Sequence, residues 1–313
     1  MPIHLPATTR RGFLATSIST AAGIDVLRLS SLVDAAEETK QRDPAHWILM
    51  ADTHLSANRK DGKPQWNMFM DKNFIQTTRE VVKLAKQAAG VIINGDCAYI
   101  DGVRGDYKLL AELLKPIRDA GLPVHLTMGN HDSRTRFWSV LANHRAEKPP
   151  LTSRHVSVVE SGNANWFLLD SLETVNATPG LLGGKQRAWL AVELDTRKDQ
   201  PAIIVLHHNL QMQKKKTDAK FSGLKDSDKL FEVLKPRKHV KAIFVGHTHT
   251  WMRHVVDGMH VVNLPPIGYV FRRNDPLGWV DARLQADGMK LVLHTLDKKN
   301  KASDEIVELK WRA

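Results

Sequence analysis

The sequence predicts an α/β domain built on two sheets with helices outside them. Three observations carry this. Short apolar runs alternate with helical periodicity in a β-α-β-α-β order through the first half of the chain. The second half is strand-rich, with alternating runs after residue 250. Short motifs of histidine, aspartate and asparagine stand just past several of the apolar runs, where open α/β sheets bind their ligands.

The elements follow in order. Residues 46–50 read as a buried strand. Residues 71–89 carry helical periodicity through Phe74, Ile75, Val81, Val82, Leu84 and Ala85, ending near Gly90. A second strand spans 91–93. A helix over 106–120 places Leu109, Leu110, Leu113, Leu114 and Ile117 on one face. A third strand spans 124–128, followed by a helix near 133–144. Strands are expected at 155–159, 166–169, 202–206 and 242–245, with helices near 184–195 and 226–235 between some of them. The runs at 251–256, 259–263, 278–284 and 289–295 suggest antiparallel strands. No repeat and no long linker interrupts this pattern, so one large domain is expected over 45–313.

Composition narrows the function classes. The 313 residues are 42% hydrophobic and 25% charged, which excludes a disordered or fibrous protein. Lys+Arg 45 against Asp+Glu 34 gives a net charge of +11, a surface that favours anionic partners. The single cysteine, Cys97, excludes an internal disulfide and an all-cysteine metal site. No stretch reaches the roughly 18 uninterrupted apolar residues of a membrane span. Near the start, Thr8-Thr9-Arg10-Arg11-Gly12-Phe13-Leu14 resembles a bacterial twin-arginine export signal. Residues 12–24 are free of charge until Asp25, a length that suits a signal-peptide apolar region. Residues 1–44 are therefore expected to be signal peptide and leader, with a cleavage site near Ala35 or Ala36 and an exported, periplasmic product. Without export the protein would be cytoplasmic.

Five motifs carry the chemistry: Asp52-Thr53-His54, Gly95-Asp96, Gly129-Asn130-His131-Asp132, His207-His208 and Gly246-His247-Thr248-His249. Loops at one sheet edge would bring them together. Imidazole and carboxylate donors suit Mn, Fe, Zn or Co, and the lack of clustered thiolates argues against iron–sulfur or zinc–cysteine sites. Two cations a few ångströms apart can clamp a phosphate and deprotonate a water between them, and a carboxylate bridging the two screens their repulsion. Any one motif is weak. The ordered set, most of it at strand exits, is not.

The set resembles the calcineurin-like metallophosphoesterases, closest to their class III cyclic-nucleotide phosphodiesterase-like branch. Phe167-Leu168-Leu169-Asp170 and Gln186-Arg187-Ala188-Trp189-Leu190, with Glu193-Leu194, look like that branch's strand and following helix. The resemblance implies a four-layer αββα fold, two packed mixed sheets flanked by helices, with two metal ions at one edge. It implies that Asp52, His54 and His249 bind the first metal, that Asp96 bridges, and that Asn130, His207 and His247 complete the second. His131 would face substrate, protonating the leaving oxygen or stabilising the charged phosphorus centre, and Asp132 would hold His131 in the right tautomer. The implied reaction is hydrolysis of a small-molecule phosphodiester or phosphomonoester by attack of metal-activated hydroxide. A nuclease on the same fold and a non-catalytic scaffold are the alternatives.

Some positions depart from the family pattern. His207 and His208 compete for one ligand role, and His207 is preferred because it directly follows the strand at 202–206. Many relatives continue His-His-Pro, whereas Asn209 and Leu210 follow here. Tyr99, three residues after Asp96, resembles the iron-binding tyrosine of purple acid phosphatases, but those enzymes have Gly where His54 stands. Cys97 beside Asp96 is a weaker ligand candidate still, since alternation turns it away. Lys214, Lys215 and Lys216, then Arg59, Lys60 and Lys63 with Trp66, and Arg253, Arg272 and Arg273 are candidate substrate contacts. The basic stretch 235–241 suits a helix C-terminus and needs no nucleic acid.

Overall fold

The computed structural model describes residues 3–8, 42–144, 148–212 and 221–313. The described chain runs β1 (His4–Leu5), β2 (Asp43–Ala51), β3 (Gly62–Lys63), β4 (Met68–Phe69), α1 (Met70–Val82), β5 (Ala88–Asn94), α2 (Arg104–Asp119), β6 (Val124–Leu126) and α3 (Arg134–Val140). It continues through β7 (Ser157–Ser161), β8 (Ala164–Leu168), α4 (Gly184–Thr196), β9 (Ala202–Val205), α5 (Ser227–Leu234) and β10 (Val240–Val245). Five strands close it: β11 (Met252–Val256), β12 (Met259–Asn263), β13 (Gly278–Gln285), β14 (Gly288–Thr295) and β15 (Ile306–Lys310).

Two large sheets result, in the orders β1-β6-β5-β2-β13-β14-β15 and β11-β12-β10-β9-β8-β7. The centre of each is parallel: β2 with β5 and β5 with β6 in the first, and β8, β9, β10 and β12 in the second. The flanks are antiparallel. Crossover helices join β2 to β5, β5 to β6, β8 to β9 and β9 to β10, while β10 reaches its parallel neighbour β12 through the antiparallel strand β11.

Side-chain parity along the central strands builds the layers. Trp47, Leu49, Ala51 and Ile92 of the first sheet meet Trp166, Leu168, Ile203, Val205, Ala242 and Phe244 of the second in one core between the sheets. The alternate residues Ile48, Met50, Val91 and Ile93 face out to a core containing Phe74 and Val81 of α1 and Leu110, Leu114 and Ile117 of α2. On the far side, Phe167, Ile204, Ile243 and Val245 pack against Leu190 and Leu194 of α4 and Leu230 and Leu234 of α5. The architecture is αββα, as expected. Both faces of each central strand are buried, which is why these strands read as unbroken apolar runs rather than alternating ones.

Several elements differ from the sequence expectation. The helix expected over 71–89 stops at Val82, and residues 83–87 form turns such as Leu84 N–H to Val81 C=O at 2.9 Å. Leu84 and Ala85 still pack on the same core, so their spacing imitates a continuing helix. The strand β15, which no expectation covered, pairs with β14 at the sheet edge. Its exposed Ile306 and buried Val307 leave a short, weak pattern. The expected boundary at 44/45 does not separate the first residues from the domain. His4 and Leu5 pair with His125 and Val124, and Ile3 and Leu5 are fully buried. Arg10, Arg11 and the charge-free run after them lie outside the described residues, as do Lys214, Lys215 and Lys216.

Candidate metal centre

All five motifs leave central strands at the same edge. Asp52 follows β2, Gly95-Asp96 follows β5, and Asn130-His131 comes four residues after β6, all from the first sheet. His207 and Gly246-His247 follow β9 and β10 of the second. The sheets are tied at this edge by Asn94, at the last position of β5. Its amide donates across to Leu206 C=O at 2.9 Å while its side-chain oxygen accepts from Thr127 Oγ1 at 2.8 Å.

The turns at these exits are tight. Among the described residues, the non-glycine positions in the left-handed region include Asp52, His54, Asp96, His247 and His249, at φ between 45° and 70°. Such backbone costs about 1–3 kcal/mol per residue and persists where the surrounding structure enforces it. Close packing is the enforcement: a Cβ at Gly246 would sit 2.5 Å from Asp52 Oδ2, and one at Gly129 would collide with the Asp96 carboxylate.

Among the described residues the candidate ligand atoms converge in three groups. Asp52, His54 and His249 form one, Asp96, His207 and His247 form another, and His54, Asp96 and His131 form a third that shares a member with each. His54 Nε2 lies 2.9 Å from His249 Nε2, and His249 Nε2 lies 3.4 Å from Asp52 Oδ1. Asp96 Oδ2 sits between the first two, 3.5 Å from His54 Nε2 and 3.2 Å from His207 Nε2. The buried side-chain oxygen of Asn130 has no hydrogen-bond donor, the condition of a ligand whose partner is a cation. Nitrogen and oxygen donors, buried carboxylates and this orphaned amide oxygen fit two divalent ions.

Backbone carbonyls fix the histidine tautomers. His54 Nδ1–H donates to Tyr99 C=O at 3.1 Å, and His207 Nδ1–H to Asn94 C=O at 3.1 Å. His247 donates from Nε2 to Ser222 C=O at 2.8 Å. In His54 and His247 the other ring nitrogen is left as an electron-pair donor. Burial drives His54 down to about 3 and His247 down to about 4, so both are neutral. Burial opposes ionisation of Asp96, but His207 and His54 outweigh it and hold that carboxyl well below its ordinary value. His207 is itself held up at about 9 against burial by the Asp96 and Asp52 carboxylates.

His131 stands beside this cluster, its ring centroid 5.3 Å from that of His54 and its backbone N–H on Asp96 Oδ1 at 2.8 Å. The expected pairing of Asp132 with His131 is not what holds the imidazole. His131 Nδ1–H donates to Ile100 C=O at 2.8 Å. Asp132 points into the protein instead, accepting from the N–H groups of Cys97, Ala98 and Gly129 and from Tyr107 Oη. Adjacent residues on a turn project oppositely, and a buried carboxylate is satisfied by the nearest free backbone donors. Asp132 thus clamps two motif loops together.

The chain belongs to the calcineurin-like phosphoesterase family: the family model, calcineurin-like phosphoesterase, matches residues 46–251. Similar curated proteins include a 3′,5′-cyclic adenosine monophosphate phosphodiesterase CpdA of Haemophilus influenzae, 27% identical over 225 residues, covering 69% of this chain and 77% of the relative. A 3′,5′-cyclic-nucleotide phosphodiesterase of Nostoc is 26% identical over 224 residues, covering 71% and 78%. Among solved structures, a dimetal phosphatase from Danio rerio has the same fold, with a TM-score of 0.67 over 86% of this chain and all of that one at 15% identity. The chain is a metal-dependent phosphoesterase.

The metallophosphoesterase site opens on a cavity of about 470 Å³ lined by Asp96, Asn130, His131, His247, His249 and, from segments that carry no motif, Asn176, Thr178, Ser222, Tyr269 and Phe271. A larger hollow, about 550 Å³, contains Lys72 and Arg273 but none of the ligands, so chemistry rather than size picks out the site. The loop carrying Tyr269 is pinned beneath the ligands: Gly268 N–H donates to Asp52 C=O at 2.9 Å, and a Cβ there would lie 2.9 Å from Thr53 C=O. The Pro265-Pro266 pair followed by Gly268 was the available sign of a fixed turn.

The remaining candidates fall elsewhere. His208 is buried beside the ligands with Nδ1 2.8 Å from Ser171 Oγ, outside all three groups. The Cys97 side chain is fully buried, and burial pushes its thiol up. Tyr99 contributes its backbone carbonyl to His54. Arg253 pairs with Glu305, Arg272 with Asp275 and Arg59 with Glu112, and none of the three lines the cavity.

Proposed function

We propose that this protein hydrolyses a phosphodiester of the cyclic-nucleotide class with two divalent cations held by Asp52, His54 and His249 on one side, Asn130, His207 and His247 on the other, and Asp96 between them. The observation that carries the reading is the sharing of Asp96 Oδ2 between the two groups of buried donors. The names of the similar curated proteins support the substrate class. The cations supply charge neutralisation around phosphorus and an acidified water. The chain itself positions the ester in the cavity, and His131, oriented by Ile100 C=O, donates the proton that the departing oxygen needs. No expected ligand is missing, which argues against a scaffold. Among the described residues, no lysine or arginine lines the cavity, which argues against a nucleic-acid groove.

The test is hydrolysis of 3′,5′-cyclic adenosine monophosphate, bis-p-nitrophenyl phosphate and p-nitrophenyl phosphate by protein loaded with Mn. The expected result is faster turnover of the two diesters. Preference for the monoester would overturn the assignment. The Arg10-Arg11 pair with Phe13-Leu14 and the charge-free run 12–24 support export by a twin-arginine route.

A further inference from the structure

The cavity has two unlike walls. Asn176, Thr178 and Ser222 form a polar one, and Tyr269 and Phe271 an aromatic one. Phe271 is 56% exposed, unusual for a phenylalanine beside a site of buried charge. One face of its ring is covered by His249, the centroids 4.4 Å apart and the planes 15° from parallel. The residue keeps this exposure although His249 stacks on its ring.

This wall is held rigidly. Gly268 ties its start to the Asp52 turn. Lys63, from the β3 strand, donates from Nζ to Val270 C=O at 2.5 Å. The same ammonium lies 4.6 Å from the Trp66 ring centroid, 5.0 Å from that of Tyr269 and 5.4 Å from that of Phe271. Burial lowers the Lys63 pKa, but a carbonyl and three aromatic rings still surround its charge. Val270, between the two aromatics, is fully buried and anchors the turn to the core. An aromatic ring fixed in this way loses little conformational freedom when a planar group lands on it.

We propose that Phe271 is the stacking platform for the nucleobase of the substrate, with Lys63 positioning the loop that presents it. The proposal rests on the phosphodiester reading above and deepens it by assigning the base to the aromatic wall. The platform neighbours the ligand His249 directly, so a phosphate at the ligands and a ring on Phe271 can belong to one small molecule. Stacking of this kind tolerates any base, because every base presents a π face. Discrimination among bases then falls to the polar wall of Asn176, Thr178 and Ser222.

The probes are adenosine 5′-methylenephosphonate and methylphosphonate, whose carbon–phosphorus bonds resist hydrolysis. Their binding to the metal-loaded protein is measured by calorimetry, and the ratio of the two affinities is the readout. In the natural protein the nucleoside phosphonate binds more tightly. Phe271→Leu is expected to shrink that ratio at least about fivefold, the lower range for one stacked base. Phe271→Trp is expected to keep or enlarge it. Metal content is measured on each variant, since a residue that only buttresses His249 would weaken both probes together and leave the ratio unchanged. An unchanged ratio in Phe271→Leu, or no preference for the nucleoside phosphonate in the natural protein, overturns the platform. Failure of the phosphodiester reading has a different mark: loaded natural protein would hydrolyse no diester whatever the phosphonate ratio.

Discussion

His54 Nε2 and His249 Nε2, both on buried side chains, face each other at 2.9 Å, with Asp52 Oδ1 3.4 Å from the second. His54 Nδ1 is already committed to Tyr99 C=O, so its Nε2 presents a lone pair to its neighbour. Two buried imidazoles aimed at one point with a carboxylate beside them form an arrangement that a cation stabilises. His54→Ala should therefore lower occupancy of the first metal while leaving the Asp96, His207 and His247 group able to bind. Metal analysis after dialysis is expected to give about one ion per chain in place of two.

Asp96 Oδ2 lies beside one histidine of each group, 3.5 Å from His54 Nε2 and 3.2 Å from His207 Nε2. Asp96→Ala is expected to remove both ions and reduce diester turnover by at least about 10³-fold, because neither cation keeps its shared ligand. Retention of two ions with measurable turnover would contradict the bridging role.

His131 touches Ile100 C=O and lies beside His54 without belonging to either of the two ligand groups that carry the proposed metals. His131→Ala should keep both metals and slow hydrolysis of esters with alkoxide leaving groups by about 10²–10⁴-fold. A p-nitrophenolate departs without protonation, so its loss should be much smaller. Equal losses for the two kinds of leaving group would reassign His131 from proton donor to stabiliser of charge at phosphorus.

Asp132 serves stability. Its carboxylate accepts from three backbone N–H groups and from Tyr107. Burial, with Asp96 adding to it, raises this carboxyl to about 6. Asp132→Asn turns an NH₂ group toward donors and should cost about 2–4 kcal/mol of unfolding free energy, read from denaturant midpoints. A cost below about 0.5 kcal/mol would show that the two loops are held by other contacts.

Two buried histidines outside the proposed ligand set place an acid limit on stability. His155 accepts Trp138 Nε1–H on Nδ1 at 3.1 Å and donates from Nε2 to Leu126 C=O, so it has no place for a second proton. His125 Nδ1 lies 2.7 Å from His4 Nδ1, a contact that allows one proton between them. Burial drives both His125 and His155 down to about 3. The unfolded chain binds these protons near 6.5 and the folded chain does not, so stability is complete above that pH and falls as pH drops below it. Each group contributes a slope of about 1.4 kcal/mol per pH unit between roughly 6.5 and 3. Denaturant titrations between pH 4 and 6.5 should show stability falling with acid, and a flat profile would refute it.

Export through the twin-arginine route predicts that changing Arg10 and Arg11 together to Lys retains the protein in the cytoplasm. Fractionation of cells expressing each form measures this, and undiminished periplasmic delivery would exclude the route.

Residue identity alone pointed to the proposed ligand set of this protein. Asp52, His54, Asp96, Asn130, His207, His247 and His249 are short motifs at strand exits, and strand exits are legible because apolar runs end abruptly there. The αββα layering was legible for a related reason, since central strands buried on both faces leave unbroken apolar runs. Tertiary structure decided what depends on direction and distance. Asp132 and His131 are neighbours in sequence yet project to opposite sides of a turn, so adjacency misassigned the partner of His131. Asn94, Tyr269 and Phe271 carry no motif and acquire their roles only where β5 meets the second sheet or where the Gly268 turn passes under Asp52. A chain's order records which groups are available, whereas packing between segments distant in sequence determines which of them meet.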